Sequence, residues 1–232
     1  MKAFLLAAGL GTRLRPITDN IPKCLVPING KPLLYYWLHS FERYGIDQVL
    51  INMHHFPELI LNYVNQANFG LDIVTVYEQE LLGSAGTIRN NMDFVNDNEP
   101  FLICYSDNLT NVNLPAMIQF HNSHNNIFTL GLFHTLNPTE CGIAEVDGQN
   151  TVTDFVEKPK EPKNNLAGAG VYVTEPTILD YLPEQHPADL GYDVLPKLIG
   201  RMSGFYIKDY FRDIGTIESY NRACEEVHGI EF

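Results

Sequence analysis

The sequence has few cysteines and no long apolar run. Its four cysteines are far apart and form no C-x-x-C pair, which argues against a disulfide framework and against a zinc site. No stretch approaches the roughly 18 apolar residues that a membrane-spanning helix requires. We therefore expect a cytoplasmic protein with buried thiols and no membrane partner. The cysteines are Cys24, Cys104, Cys141 and Cys224.

Positive charge is also scarce, and most of the chain is acidic. The formal net charge of -13 would repel a nucleic-acid backbone, so we expect no nucleic-acid partner. Residues 1–31 are the exception, because they contain five basic residues and only one acidic residue, Asp19. This segregation predicts a site for a small anion near the start of the chain. The basic residues are Lys2, Arg13, Arg15, Lys23 and Lys31.

Short apolar runs alternate with helical patterns in the first part of the chain. The alternation is typical of an α/β, Rossmann-like fold with a mostly parallel sheet covered by helices on both faces. The predicted strands are 3–8, 48–53, 72–77, 101–105 and 128–133. The predicted helices are 32–44, 57–66, 85–94 and 115–123.

The pattern changes after about residue 140. Closely spaced strands at 142–146, 152–157 and 168–173 predict an antiparallel addition in the C-terminal half. Further helices are predicted at 190–199 and 216–227. Neither a repeat nor a linker-like segment interrupts the sequence, so we expect one domain over residues 1–232.

A glycine-rich loop follows the first predicted strand. It reads L-A-A-G-L-G-T-R-L-R over residues 6–15, and a P-K dipeptide follows at Pro22 and Lys23. Backbone N–H groups in such a loop can hold phosphate, and glycines let a ligand approach closely. A dinucleotide-binding loop fits poorly, because Leu14 occupies the third glycine position and three prolines precede the next helix. A purely structural turn stays open for the glycines, but leaves the basic residues unexplained.

At these residues the sequence resembles the sugar-1-phosphate nucleotidyltransferases, also called NDP-sugar pyrophosphorylases, whose signature is a G-x-G-T-R-L loop followed by P-K. The resemblance implies two catalytic residues. Arg13 would stabilise the triphosphate through the transition state, and Lys23 would contact the phosphates. The resemblance also implies nucleotide binding by the backbone at Ala8, Gly9, Gly11 and Thr12.

Three further motifs match the nucleotide and metal elements of that family. The G-S-A-G run resembles the base-binding loop and implies nucleotide contacts at Gly83, Ser84 and Gly86; a helix N-cap at Ser84 is the structural alternative. S-D-N and D-I-G-T resemble the elements that supply ligands to Mg²⁺, which implies Asp107 and Asp213. Helix capping is the alternative for both aspartates.

The sugar-phosphate elements of the family lie in the C-terminal half. E-K-P implies that Glu157 binds sugar hydroxyls and that Lys158 binds the sugar phosphate, although such a triplet alone is typical of a solvated turn. Gly142 and Gly170 match glycines that line the sugar pocket. An alanine, Ala169, stands where asparagine is usual, so one polar contact to the sugar is expected to be missing.

The implied reaction couples a nucleoside triphosphate to a sugar 1-phosphate and releases pyrophosphate. The chain looks most like the guanylyltransferases of mannose 1-phosphate and manno-heptose 1-phosphate, which favours GTP; a uridylyl-, thymidylyl- or cytidylyltransferase is the alternative. Within the expected domain, residues 1–133 would bind the nucleotide and 134–232 the sugar phosphate. A glycosyltransferase is disfavoured because D-x-D is absent, and a non-catalytic sensor because the charged motif residues are all present.

Overall fold

The computed structural model describes residues 1–232. Its strands are β1 (Lys2–Leu6), β2 (Pro27–Ile28), β3 (Lys31–Pro32), β4 (Gln48–Met53), β5 (Asp72–Tyr77), β6 (Phe101–Tyr105), β7 (Asn108–Thr110), β8 (Phe128–His134), β9 (Gly142–Val146), β10 (Val152–Glu157), β11 (Leu166–Thr174), β12 (Met202–Tyr206) and β13 (Phe211–Asp213). Its α-helices are α1 (Leu33–Arg43), α2 (Pro57–Gln66), α3 (Gly83–Asn90), α4 (Leu114–Asn122) and α5 (Ile217–Glu226). Shorter 3₁₀ turns include Thr12–Leu14, Lys23–Leu25, Met92–Val95 and Leu195–Leu198, and a π-helical turn spans Leu190–Val194.

The chain forms two compact units that interleave along the sequence. The first contains Met1–Leu81, Cys104–Val112 and Asp209–Phe232, and the second contains Leu82–Ile103 and Asn113–Lys208. The expected single nucleotidyltransferase domain, with its functional parts at 1–133 and 134–232, stays a prediction because it concerns which ligands each part binds.

The first unit is built on parallel strands. Strand β4 pairs in parallel with β1 on one side and with β5 on the other, with Lys2 opposite Gln48 and Gln48 opposite Asp72. Five of the six residues of β4 are buried. Such a continuous buried run is expected of a strand covered on both faces.

The second unit contains the antiparallel part of the large sheet. Strand β8 pairs antiparallel with β11 and in parallel with β12, while β9 pairs antiparallel with β10 and β11. The predicted fold class, an α/β Rossmann-like fold with an antiparallel addition in the C-terminal half, is confirmed. None of the helices combines the length and the hydropathy that crossing a bilayer requires.

Several predicted elements differ from those observed by a few residues at their ends, and one is wrong. Strand β1 ends at Leu6 rather than at residue 8, and the next N–H, that of Ala7, donates to the Asn52 side chain at 2.7 Å. The helix predicted at 85–94 ends as α3 at Asn90 and continues only as a 3₁₀ turn. The α-helix predicted at 190–199 is wrong: Pro196 has no N–H to donate, and a π-helical turn followed by a 3₁₀ turn occupies these positions.

Candidate functional site

The glycine loop of the first unit follows β1 and is closed by local hydrogen bonds. Gly11 has a left-handed φ of 64°, and its carbonyl accepts from Leu14 N at 2.9 Å and from Thr18 Oγ1 at 2.7 Å. A side chain at Gly9 would meet no other protein atom within 4 Å. Gly9 thus lies on a face where a ligand can reach the backbone. Thr12 is exposed as well, whereas Ala8 is buried.

A buried apolar cluster anchors three of the predicted site segments. Leu14, Leu109 and Ile214 are each completely buried in this cluster. Leu14 directly follows Arg13, Ile214 directly follows Asp213, and Leu109 lies two residues after Asp107. Burial of these side chains therefore fixes the backbone that carries the charged residues, because full burial of a leucine or isoleucine stabilises by roughly 2 kcal/mol.

The two predicted metal ligands lie on neighbouring backbone segments. Strand β13 pairs antiparallel with β7 so that Asp213 lies opposite Asn108, the residue after Asp107. Ile214 N donates to the Asp107 carbonyl at 2.8 Å, and Ser106 N donates to Leu6 O at 3.0 Å at the end of β1. Asp107 and Asp213 are far apart in sequence, but the fold brings them together beside the glycine loop.

Both predicted catalytic residues lie close to Asp107 or Asp213. The Lys23 ammonium donates to Asp107 Oδ2 at 2.6 Å, and the lysine side chain is only 11% exposed. The Arg13 guanidinium and the Asp213 carboxylate both pack against Gly215, where an added Cβ would collide with them. Arg13, Lys23, Asp107 and Asp213 thus form one charged cluster in the first unit.

The surroundings of Asp213 work against its ionised form. Burial by neighbouring protein atoms raises the pKa of its carboxyl, and the negative charge of Asp107 raises it further. Lys23, Arg13 and a backbone hydrogen bond oppose these effects but leave the pKa raised. Burial and the charge of Asp107 together therefore outweigh the effect of the two basic residues on Asp213.

A magnesium ion fits this donor set. Mg²⁺ prefers carboxylate and phosphate oxygens and often takes only one or two protein ligands. Asp107 and Asp213 offer two carboxylates whose mutual repulsion a divalent cation would relieve. No group of three or more His, Cys, Asp or Glu side chains suited to hold a metal occurs in the structure. These two residues would therefore bind the ion together with substrate oxygens and water.

In the second unit, the predicted base-binding loop packs closely against the segment near Ala188. Ala85 N and Gly86 N donate to Ala188 O at 3.0 and 3.2 Å, and Ala188 N donates to Leu82 O at 2.8 Å. Gly83 has a φ of 76°, and a side chain there would collide with the Ala188 backbone. Glycine at position 83 is required by both conditions.

Ser84 has a different structural role from the N-cap considered above. The N-cap of α3 is Leu82, and Ser84 lies in the first helical turn. Its hydroxyl donates to Asp189 Oδ2 at 2.9 Å and accepts from Leu190 N at 2.8 Å. Ser84 therefore ties the base-binding loop to residues 189–190.

Glu157, at the end of β10, is enclosed by two glycines. Gly142 lies opposite it in the register of β9, and Gly191 approaches from the turn after Asp189. A Cβ on either glycine would lie 2.5 Å from Glu157 Oε2. Burial raises the pKa of the Glu157 carboxyl, Lys158 lowers it, and Asp189 raises it. Sequence reasoning missed Asp189 and Gly191, which carry no local motif of the kind that marked Glu157.

Lys158 has a backbone conformation that is uncommon for a lysine. Its φ is 48°, and its N–H donates to Cys141 O at 3.0 Å. Its Nζ lies 3.9 Å from Glu157 Oε1 and 5.9 Å from the centre of the Tyr192 ring. Strain of this kind concentrates at functional positions. Gly170 also has a left-handed φ, 64°, at the irregularity where β11 shifts register against β8.

Comparison with known proteins finds related sequences over nearly the whole chain. The chain is 32% identical to mannose-1-phosphate guanylyltransferase 1 of Arabidopsis thaliana and 32% identical to the UTP–glucose-1-phosphate uridylyltransferase of a Synechocystis strain. These alignments cover 95% and 98% of this chain, which spans 63% of the length of each relative.

Solved structures and a family model also match. The structure of HddC from Yersinia pseudotuberculosis, complexed with GMP-PN, is 26% identical with a TM-score of 0.82, over 97% of this chain and 99% of that one. The family model described as nucleotidyl transferase matches residues 2–229. The chain therefore belongs to the nucleotidyl transferase family.

Proposed function

We propose that the chain couples a nucleoside triphosphate to a sugar 1-phosphate, giving a sugar nucleotide and pyrophosphate. The observation that carries the proposal is the charged cluster of Arg13, Lys23, Asp107 and Asp213 beside the glycine loop, in a chain of the nucleotidyl transferase family. Such a cluster suits a reaction in which several phosphate charges must be brought together and neutralised.

The proposed step is an in-line attack by a phosphate oxygen of the sugar 1-phosphate on the α-phosphorus of the nucleotide. The bond from the α-phosphorus to the bridging oxygen breaks, and pyrophosphate leaves with that oxygen. The attacking oxygen is already anionic, so no general base is needed, and the protein contributes alignment and charge. Arg13 and Lys23 neutralise the triphosphate and the leaving pyrophosphate.

Magnesium would be held by Asp107 and Asp213. When bound, the ion supplies charge neutralisation between the phosphates of the two substrates. The residues of the chain then have separate tasks: the backbone at Ala8, Gly9, Gly11 and Thr12 binds phosphate, and Gly83, Ser84 and Gly86 form the base-binding loop.

The sugar 1-phosphate would be bound by residues of the second unit. Lys158 is half-exposed and can offer its ammonium to a phosphate, while Glu157 can accept hydrogen bonds from sugar hydroxyls. Gly142 on β9 leaves room for the Glu157 carboxylate itself, and Gly170 on β11 would line the sugar pocket. The protein is proposed to act in the cytoplasm, in agreement with its four free cysteines.

For the substrates we propose GTP and a manno-configured hexose or heptose 1-phosphate. Two findings favour this pair: the plant relative is named a mannose-1-phosphate guanylyltransferase, and the HddC structure is a complex with GMP-PN. The Synechocystis relative is a uridylyltransferase by name and is equally similar to this chain. The test is a panel of four nucleoside triphosphates against several sugar 1-phosphates, read by pyrophosphate release. GTP with mannose or manno-heptose 1-phosphate should be the best pair, and a clear preference for a pyrimidine nucleotide would overturn the choice.

A further inference from the structure

Tyr192 is a large aromatic residue that the fold leaves largely open to solvent. It is 56% exposed, more than most large hydrophobic side chains of the chain. Its backbone is nevertheless fixed, since Tyr192 N donates to Asp189 Oδ1 at 3.3 Å and the preceding Gly191 N donates to the same oxygen at 2.8 Å. The turn therefore presents an exposed ring from a well-anchored backbone.

The ring lies near the residue assigned to the sugar phosphate, and the backbone beside it lies near the residue assigned to the sugar hydroxyls. Lys158 Nζ lies 5.9 Å from the ring centre, a distance at which an ammonium group is attracted to an aromatic face. Gly191, next to Tyr192 in the chain, approaches Glu157 Oε2 closely. The Tyr192 ring thus lies near Lys158, and the glycine before it approaches Glu157, although nothing in the sequence marked Tyr192.

A sugar 1-phosphate has the geometry to contact all three residues. Its phosphate is joined to the sugar ring through a single oxygen, so a phosphate held by Lys158 brings the ring within a few ångströms of the ammonium. One face of a pyranose ring carries mainly C–H groups, and aromatic side chains commonly line ligand sites where such apolar surface must be covered. Tyrosine also offers a hydroxyl at the rim of that surface.

We propose that Tyr192 is a substrate-contacting residue whose ring packs against the pyranose of the sugar 1-phosphate. This inference rests on the proposed function and adds a residue to it. The contact of the Tyr192 ring with the pyranose contributes to sugar affinity. Because the ring covers one face of the pyranose, Tyr192 also helps to determine which sugar is accepted. The nucleotide is bound by other residues, so its affinity should not depend on Tyr192.

The test compares Tyr192→Ala and Tyr192→Phe with the wild-type protein. Tyr206→Ala is the matched control, because Tyr206 is 41% exposed in the same unit and has no place in the site. Tyr192→Ala should raise KM for the sugar 1-phosphate about tenfold, while kcat and KM for GTP change by less than about twofold. Tyr192→Phe, which keeps the ring, should stay close to wild type, as should Tyr206→Ala.

Saturation-transfer NMR gives a second readout that does not depend on turnover. Irradiation of the aromatic protons should transfer saturation to the ring protons of mannose 1-phosphate in the wild type and in Tyr192→Phe, and much less in Tyr192→Ala. Unchanged transfer, an unchanged sugar KM, equal effects on both substrates, or a change of oligomeric state in Tyr192→Ala would each overturn the inference. A wild-type protein that forms no sugar nucleotide would sink the proposed function, and the NMR comparison would then decide on Tyr192 alone.

Discussion

The Lys23 ammonium donates to the Asp107 carboxylate at 2.6 Å, so a residue proposed to contact phosphate is paired with a proposed metal ligand. The lysine is mostly buried, and the aspartate is about a third exposed. The pair therefore orients Asp107 while leaving it open to a ligand. Lys23 also opposes the raised pKa of Asp213, which links it to both carboxylates.

Removing the Lys23 ammonium should lower kcat strongly and affect the stability of the protein less. Lys23→Met keeps the length of the side chain but leaves Asp107 unpaired and the phosphates without a positive partner. We expect kcat to fall about 100-fold or more, as when one charge-stabilising donor is lost from an active site. Steady-state kinetics with GTP and mannose 1-phosphate measure this. Lys31→Met, an exposed lysine of the same segment, is the control, and a similar loss there would contradict the assignment.

Asp213→Asn should keep the fold and lose most turnover. Its backbone position is set by pairing with β7 and by the burial of Ile214, and neither requires a charge. The amide is a poorer magnesium ligand, so we expect partial recovery at raised Mg²⁺ or with Mn²⁺. Activity titrated against each metal provides the measurement. Asp93→Asn, at an exposed aspartate of the second unit, should need no more metal than wild type. Full activity of Asp213→Asn at ordinary Mg²⁺ would remove Asp213 from the metal site.

We expect the Glu157 carboxylate to contribute to substrate binding and, when ionised, to lower the free energy of unfolding. Its pKa in the folded protein is raised, chiefly by burial, so the folded state disfavours the ionised form relative to the unfolded chain. Its contribution to stability is therefore present below the pKa of the unfolded chain and is lost as the pH rises through the folded-state pKa. Glu157→Gln cannot ionise. As the pH rises from the unfolded-state pKa through the folded-state pKa, the variant should therefore gain stability relative to wild type. Its KM for the sugar 1-phosphate should be higher than that of wild type.

Urea unfolding at several pH values measures this difference. The control is Glu161→Gln, an exposed glutamate in the following loop, which should run parallel to wild type at every pH. Parallel curves for Glu157→Gln and wild type would show that the buried carboxylate carries no such cost.

Gly83→Ala should destabilise the second unit. The substitution places a methyl group against the Ala188 backbone and requires a φ of 76°, which alanine rarely adopts. We expect a loss of about 2 kcal/mol or more in the free energy of unfolding. Thermal or urea unfolding measures it. Gly148→Ala, where an added Cβ meets no atom within 4 Å, should change stability little, and equal losses in the two variants would refute the packing argument.

Local sequence patterns could predict the long elements and the motif residues. The buried run of β4 and the glycine loop after β1 each show their character within about ten residues, so the fold class and the phosphate loop were predictable. The pairing of Lys23 with Asp107 was not, because 84 positions separate the two and only the fold brings them together. Resemblance indicated each residue, but not that they share a hydrogen bond.

The features that sequence reasoning missed depend on packing between distant segments. Asp189 matters because Ser84 and the Gly191 and Tyr192 backbone converge on its carboxylate, and no spacing rule marks such a point. The three-residue strands β7 and β13 are too short for a periodic signal, and they become strands by pairing with each other. The proline at 196 was a local signal that should have ended the predicted helix.

The central claim is that the nucleotidyl group, with its α-phosphate, moves to the sugar 1-phosphate, and isotopic labelling tests it most directly. With mannose 1-phosphate present, label in the α-phosphate of GTP should appear in the sugar nucleotide, and label in the γ-phosphate should appear in pyrophosphate. Both transfers should be strongly reduced with Asp213→Asn at ordinary Mg²⁺. Label from the γ-phosphate in inorganic phosphate or on the sugar, with none from the α-phosphate in a sugar nucleotide, would contradict the account.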